Sequence, residues 1–211
     1  MLKALYQQHR QGFREYDNIF TRNTVLVQGL CIAPIVVAAT TLKNACLLGL
    51  AFAVITFVSV VLLSFLPKKT PFTIRAIAAV LLACLVFIPT SLWVRDLFPG
   101  NIQQVGIFLP LLVTNSVLVG KTEESLLHLK KRKMLLKLVT YIVGFELVIL
   151  FTGLVRELLA YNTIWGNPVT LPFTFSVMAL PFGGFVLLGF LAAAVRRYRE
   201  HLNKPGNGEE E

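Results

Sequence analysis

The chain has 211 residues, of which 55% are hydrophobic and only 15% charged; its mean hydropathy is +0.70, whereas a soluble domain carries about 25% charged residues. Long apolar runs separate the clustered charges, which excludes an ordinary water-soluble domain and reads as an all-α integral membrane protein. The formal charge of +9 would suggest nucleic acid in a soluble chain. Here the basic residues flank apolar runs, so membrane lipids and not nucleic acid are the expected contact.

Residues 1–22 are polar, lack a continuous apolar core and read as a cytoplasmic leader, not a signal peptide. Residues 23–195 form the expected membrane domain of six segments, and residues 196–211 a cytoplasmic tail. Segment one runs from about Asn23 to Thr41 and is interrupted between Gly29 and Pro34. Segment two, Ala45 to Leu66, is an unbroken run ended by Pro67-Lys68-Lys69. Segment three, Ile74 to Val94, contains Pro89 and closes on Trp93, an interface anchor.

Segment four, Val105 to Gly120, is apolar enough to enter a bilayer yet holds Pro110 and the run Thr114-Asn115-Ser116. Pro110 removes a helix hydrogen bond, and hydrocarbon cannot satisfy the freed backbone groups. Broken, polar backbone at membrane depth is tolerated where protein or a cavity covers it, so this stretch marks a candidate working site. Segment five runs from about Leu135 to Leu159. Segment six is expected from Leu171 to Val195, with Pro172, Pro181 and Gly183-Gly184 inside it.

Charge placement orients the chain. With both termini cytoplasmic, only Lys43, Arg95 and Arg156 of the 20 Lys and Arg fall outside, which favours an even number of crossings. Segments one and four are both interrupted, and each precedes two fuller segments. That pattern suggests two inverted three-segment repeats, 23–98 and 103–195, whose broken members meet near the bilayer midplane.

Several positions outside the breaks stand out. Glu146 lies mid-segment in VGFELVILF, where an ionisable group must face protein or water. It reads either as a proton or sodium ligand or as a carboxyl bonded to a neighbouring helix. Arg156 and Glu157 close segment five and read as an anchor or as part of the outer loop. Cys31, Cys46 and Cys84 show no metal-ligand spacing and read singly as buried small hydrophobes. His9, His128 and His201 lie in basic flanks, so no metal site is expected.

The run VGIFLPLLVTNSVLVGK (Val105 to Lys121) resembles a characteristic segment of the Rnf/Nqr family of membrane subunits, on the side of its Rnf E-type and Nqr D-type members. Leu26-Val27-Gln28, Asn44-Ala45 and Leu48-Gly49-Leu50-Ala51 are similar to the start of that family's first repeat. Arg156-Glu157-Leu158-Leu159 with Asn162-Thr163 and Gly166 resembles the motif after its fifth span, and Leu180-Pro181 with Gly183 and Gly189 its last span.

The resemblance implies a bacterial inner-membrane subunit of a complex that couples electron transfer among ferredoxin, nicotinamide nucleotide and quinone to Na+ or H+ movement. It also implies a homologous six-span partner of opposite orientation and a two-iron, two-sulfur cluster shared between the two, with one cysteine from each broken segment. This chain departs there: Ser116 occupies the second cysteine position and Ala33 the first, with Cys31 two residues early. Thiolates are the usual cluster ligands, so the chain is expected to bind no cofactor of its own. Cys31 becomes a ligand only if the register slips. No catalytic residue is read, and the broken-helix or ion-pathway positions are Pro34, Pro110, Thr114, Asn115, Ser116 and Glu146. A second reading, motivated by the missing thiols and by Glu146, is a stand-alone transporter or channel-like protein on the same scaffold.

Overall fold

The computed structural model describes residues 23, 25–29, 31–67, 70–115, 118–120, 129 and 131–203, with side chains as far as 201. The leader 1–22, Ser116, most of the loop after Gly120 and the tail from 204 lie outside the described residues. The fold is helical. Its long elements are α1 (Leu42–Leu63), α2 (Phe72–Leu97), α5 (Lys131–Tyr161) and α6 (Pro181–Asn203); short pieces α3 (Asn101–Val105) and α4 (Phe108–Leu111) lie between α2 and α5. Three of them, α1, α2 and α5, are long and apolar enough to cross a membrane.

The limits of α1 follow from its sequence. Thr41, extended at φ −128°, caps the first turn by accepting from the Asn44 amide at 3.3 Å. The helix stops just before Pro67, a residue that cannot continue it. α2 begins after Pro71, tolerates Pro89 inside, and is followed by Pro99-Gly100, with Gly100 left-handed at φ +87°. Beside Pro89, the Thr90 and Ser91 hydroxyls donate to the carbonyls of Val86 and Ile88.

α1 is the central helix and packs against both α2 and α5. Leu47, Leu48, Ala51, Phe52 and Ile55 are fully buried. The α1–α5 pair is antiparallel: Ala45 lies against Gly153, Gly49 against Glu146, and Phe52 stacks on Phe145 at 3.9 Å between ring centroids. Small residues let the two backbones approach closely, the usual basis of helix association in lipid. α2 is peripheral. Its exposed Ile74, Ile77, Leu81, Leu85 and Ile88 recur at three- and four-residue steps, forming an apolar stripe of the kind that faces lipid or a partner.

Segments one and four are indeed broken. In the first, Gly29 and Cys31 have positive φ (69° and 58°), and the chain then forms a π-helical turn, Pro34–Ala38. The fourth passes through α3, α4 and a 3-10 turn, Leu112–Thr114, to extended backbone at Asn115. α4 packs against the Pro34–Ala38 turn, so the two broken stretches touch.

Two expectations need correction. Hydropathy starts segment six at Leu171, but α6 starts at Pro181 after a 3-10 turn at Ser176–Ala179. The fixed φ of proline and its missing N–H suit it to a first helical position, and Pro181 takes that place. The expectation of a buried Cys84 also fails, since it is exposed on α2; Cys31 is buried and Cys46 intermediate. The apolar face around Cys84 points away from the core because α2 is peripheral.

Candidate functional site

The densest polar construction in the described residues is built on Arg156, near the end of α5. Its side chain is fully buried. Nη1 donates to the carbonyls of Ile35 (3.3 Å), Val36 (2.7 Å) and Ala39 (3.1 Å) in the first broken segment. Nε donates to Met178 O at 2.9 Å, and Nη2 to Ala179 O and Leu180 O at 3.2 and 3.1 Å. One guanidinium thus gathers carbonyls from the π-helical turn and from the 3-10 turn before α6. Gly184 permits the approach, since a Cβ there would crowd Val36 and the Arg156 guanidinium.

Glu157 is buried beside it but faces a different set of groups. Its Oε2 accepts from the Leu42 amide at 2.7 Å, the first residue of α1, where a carboxylate complements the helix dipole. Its Oε1 accepts from the Gly166 amide at 2.8 Å and the Thr163 hydroxyl at 3.1 Å. These last two belong to a small hairpin, β1 (Thr163–Ile164) and β2 (Asn167–Pro168), joined through left-handed Trp165 and Gly166. The adjacent pair therefore sews four elements together: Arg156 the first broken segment and the approach to α6, Glu157 the start of α1 and the hairpin.

The second broken segment is held from α1. Asn115 donates from Nδ2 to Leu112 O at 2.7 Å and to Thr56 Oγ1 of α1 at 3.3 Å. Its Oδ1 accepts from the Leu118 amide at 2.6 Å. Asn115 thus closes the 3-10 turn and opens the next helical piece, the capping role that asparagine favours. At the other end of α1, Asn44 accepts from Asn101 at 2.8 Å and donates to Gln104 at 3.3 Å, joining α1 to α3.

The remaining site positions fall as follows. Pro34 is buried at the first residue of the π-helical turn, and its carbonyl accepts from the Ala39 amide at 3.1 Å. Pro110 lies in α4 and is exposed, as is Thr114, whose hydroxyl donates to Leu111 O at 3.3 Å. Ser116 is outside the described residues. Glu146 stands mid-way along α5 against Gly49. The structure brings Pro34 and Arg156 together at the first broken segment and places Pro110, Thr114 and Asn115 in the second; Glu146 belongs to the α1–α5 seam.

Asn101 and Gln104 are polar contacts that sequence reasoning misses, and Asn44 enters it only through the resemblance, without a role. Their signal is weak, because polar residues at segment ends are common at membrane interfaces. The close packing at Gly49 and Gly153 is readable in principle from the small pair Ala45-x-x-x-Gly49.

The donor chemistry fits an iron–sulfur cluster poorly. The three thiols occupy three separate elements: the first broken segment, α1 and α2. Cys31 is the single thiol in either broken segment. Among the described residues no group of three His, Cys, Asp or Glu side chains gathers at one point.

Comparison with known proteins covers nearly the whole chain. A family model described as "Rnf-Nqr subunit, membrane protein" matches residues 14–192. The E-type subunit of an ion-translocating oxidoreductase complex from Shewanella loihica is 30% identical over 193 residues, covering 84% of this chain and 83% of the relative. Its counterpart in Shewanella oneidensis is 29% identical over 199 residues, covering 86% of each. The D-type subunit of a Na(+)-translocating NADH-quinone reductase from Chlamydia pneumoniae is 25% identical over 196 residues, covering 86% of this chain and 92% of the relative.

Proposed function

The chain belongs to the Rnf-Nqr family of membrane subunits, and from that premise we propose that it is a membrane subunit of an ion-translocating electron-transport complex. The observation that carries the reading is the family match over residues 14–192, which spans both broken segments and the Arg156-Glu157 pair. The two Shewanella relatives and the Chlamydia relative are themselves named as parts of such complexes. They lend no support to a stand-alone transporter.

The finer reading is an inner-membrane protein of six crossings in two inverted repeats, with both termini cytoplasmic. The ends of the helices support it. Lys131 lies over the Phe65 ring at 4.7 Å, which puts the start of α5 beside the end of α1 and near Arg132 and Lys133. Leu42, Glu157 and Asn101 share the opposite end. The contact between α4 and the Pro34–Ala38 turn matches the plan in which the broken members of two repeats meet.

Within the complex the chain pairs with a homologous six-span subunit and contributes no cluster of its own. The dispersed thiols and Ser116 support that assignment. Its part is to hold the scaffold around the ion path, through which Na+ or H+ moves.

Affinity purification of the tagged chain from its native membranes tests the function. The expected result is co-purification with a homologous membrane subunit and flavin- or iron-bearing redox subunits. A chain that elutes alone, free of any redox protein, under conditions that preserve other respiratory complexes would overturn it. Iron analysis and electron paramagnetic resonance of the separated chain test the lost cluster, and a stoichiometric two-iron signal would refute it.

A further inference from the structure

Glu146 lies near the middle of the 31-residue α5, the least favourable depth for an ionisable side chain in a membrane helix. Its carboxyl occupies the space left by the missing side chain of Gly49 on α1, where a Cβ would collide with it. Its Oε1 is buried and has no hydrogen-bond partner among the described residues. The Phe52–Phe145 stack lies one turn further along α1 in the same seam. Cys46 lies one turn before Gly49 on the same helix.

A buried carboxyl oxygen with no hydrogen-bond donor among the described residues is costly as an anion and calls for something that completes it. Hard cations take several oxygen ligands. The contact that the carboxyl makes across the seam is with a glycine, which offers no side-chain oxygen, and among the described residues no group of three His, Cys, Asp or Glu side chains gathers at one point. A proton needs one oxygen and no coordination shell.

We propose that Glu146 is a proton-binding carboxyl of the membrane domain, seated in the α1–α5 seam opposite Gly49. The step is a simple exchange: the carboxylic acid releases H+ to leave the carboxylate, and regains it on the same oxygens. Of the titratable groups nearby in the two helices, Cys46 lies one turn before Gly49 on α1 and Tyr141 five residues before Glu146 on α5; neither supplies a positive charge. The inference stands on the α1–α5 pair alone, so its test is independent of which subunits co-purify.

A hydrophobic carbodiimide, dicyclohexylcarbodiimide, is the probe, applied to the full chain in its native membranes. It reacts with the protonated acid: the proton passes to a carbodiimide nitrogen, the carboxylate oxygen bonds to the central carbon, and an acyl shift to nitrogen fixes the adduct with no leaving group. Glu146 is the only acid between Lys137 and Arg156, so mass spectrometry of that peptide locates the label unambiguously. The expected result is an adduct on Glu146 that declines as pH rises and is unaffected by Na+. Glu146→Gln abolishes it, and Glu146→Asp, which keeps a carboxyl, retains it. Absence of the adduct in the folded wild-type chain would overturn the proposal. So would protection by Na+ but not K+, which would make the site a metal-ion site, or labelling that does not change with pH.

Discussion

Arg156 Nη1 and the Val36 carbonyl are 2.7 Å apart, although 120 residues of chain separate them. The bond ties the end of α5 to the π-helical turn of the first broken segment, and five further carbonyls share the same guanidinium. A charge buried in apolar surroundings is tolerable when its donors are all engaged. Every engaged group is a main-chain carbonyl, so the arrangement senses backbone position and not side-chain identity.

Arg156→Met therefore keeps side-chain bulk and strips the donors from several buried carbonyls at once. The expected loss is about 3 kcal/mol or more, since each unsatisfied buried polar group costs roughly 1–3 kcal/mol. Thermal unfolding of the purified protein in detergent measures it. Arg156→Lys should fall between the two, because one ammonium cannot span carbonyls on both turns as the planar fork does.

Glu157 allows a graded comparison. Its two oxygens serve separate elements, the Leu42 amide on one side and Gly166 with Thr163 on the other. Glu157→Gln keeps one acceptor oxygen and loses the charge that favours a helix N-terminus. The expected cost is about 1 kcal/mol, within the range for such termini. Glu157→Ala loses both sets and should cost on the order of 2–3 kcal/mol. A larger effect for glutamine than for alanine would contradict the assignment.

The two breaks are legible in the sequence because residue types there disfavour a continuous helix: Gly29 takes a left-handed φ, Pro34 opens the π-helical turn and Pro110 sits in the short α4, although Pro89 inside α2 shows that a proline alone does not end a helix. The membrane class is legible from composition and charge clustering alone. What Arg156 binds is not, because main-chain carbonyls carry no signature in a sequence and the partners lie more than a hundred residues away or beyond the end of its helix. The same reasoning explains segment six. Hydropathy runs smoothly through residues 171–180, and only the competition between proline-rich loop and helix sets the start at Pro181. Cys84 defeats sequence reasoning because an apolar face turned outward in a membrane protein looks the same in sequence as one turned inward.

The α1–α5 crossing should tolerate no extra bulk at Gly153. A Cβ there would stand 2.5 Å from Ala45 Cβ and 3.1 Å from the Thr41 carbonyl. Gly153→Ala is expected to destabilise by roughly 1–3 kcal/mol through overpacking, despite the higher helix propensity of alanine. Ala45→Gly in the same chain removes the nearer obstruction and should recover part of the loss. A double-mutant cycle in detergent reads that coupling, and strictly additive effects would show that the two residues do not touch.

Asn115 offers the last test, because its two ends do different work. Oδ1 takes the Leu118 amide at 2.6 Å, and Nδ2 reaches Leu112 O and the Thr56 hydroxyl of α1. Asn115→Asp preserves the acceptor and removes the donor, while Asn115→Leu removes both at nearly constant volume. Loss of a cap costs about 0.5–2 kcal/mol, and the bond to α1 adds about 1 kcal/mol. The leucine variant should therefore lose more stability than Thr56→Val, which removes only the link to α1. Adding Thr56→Val to Asn115→Leu should then change little, since the bond is already gone. Unfolding of all these variants under the same detergent conditions gives the comparison. A Thr56→Val loss undiminished in the Asn115→Leu background would mean that the broken segment is not held through Thr56.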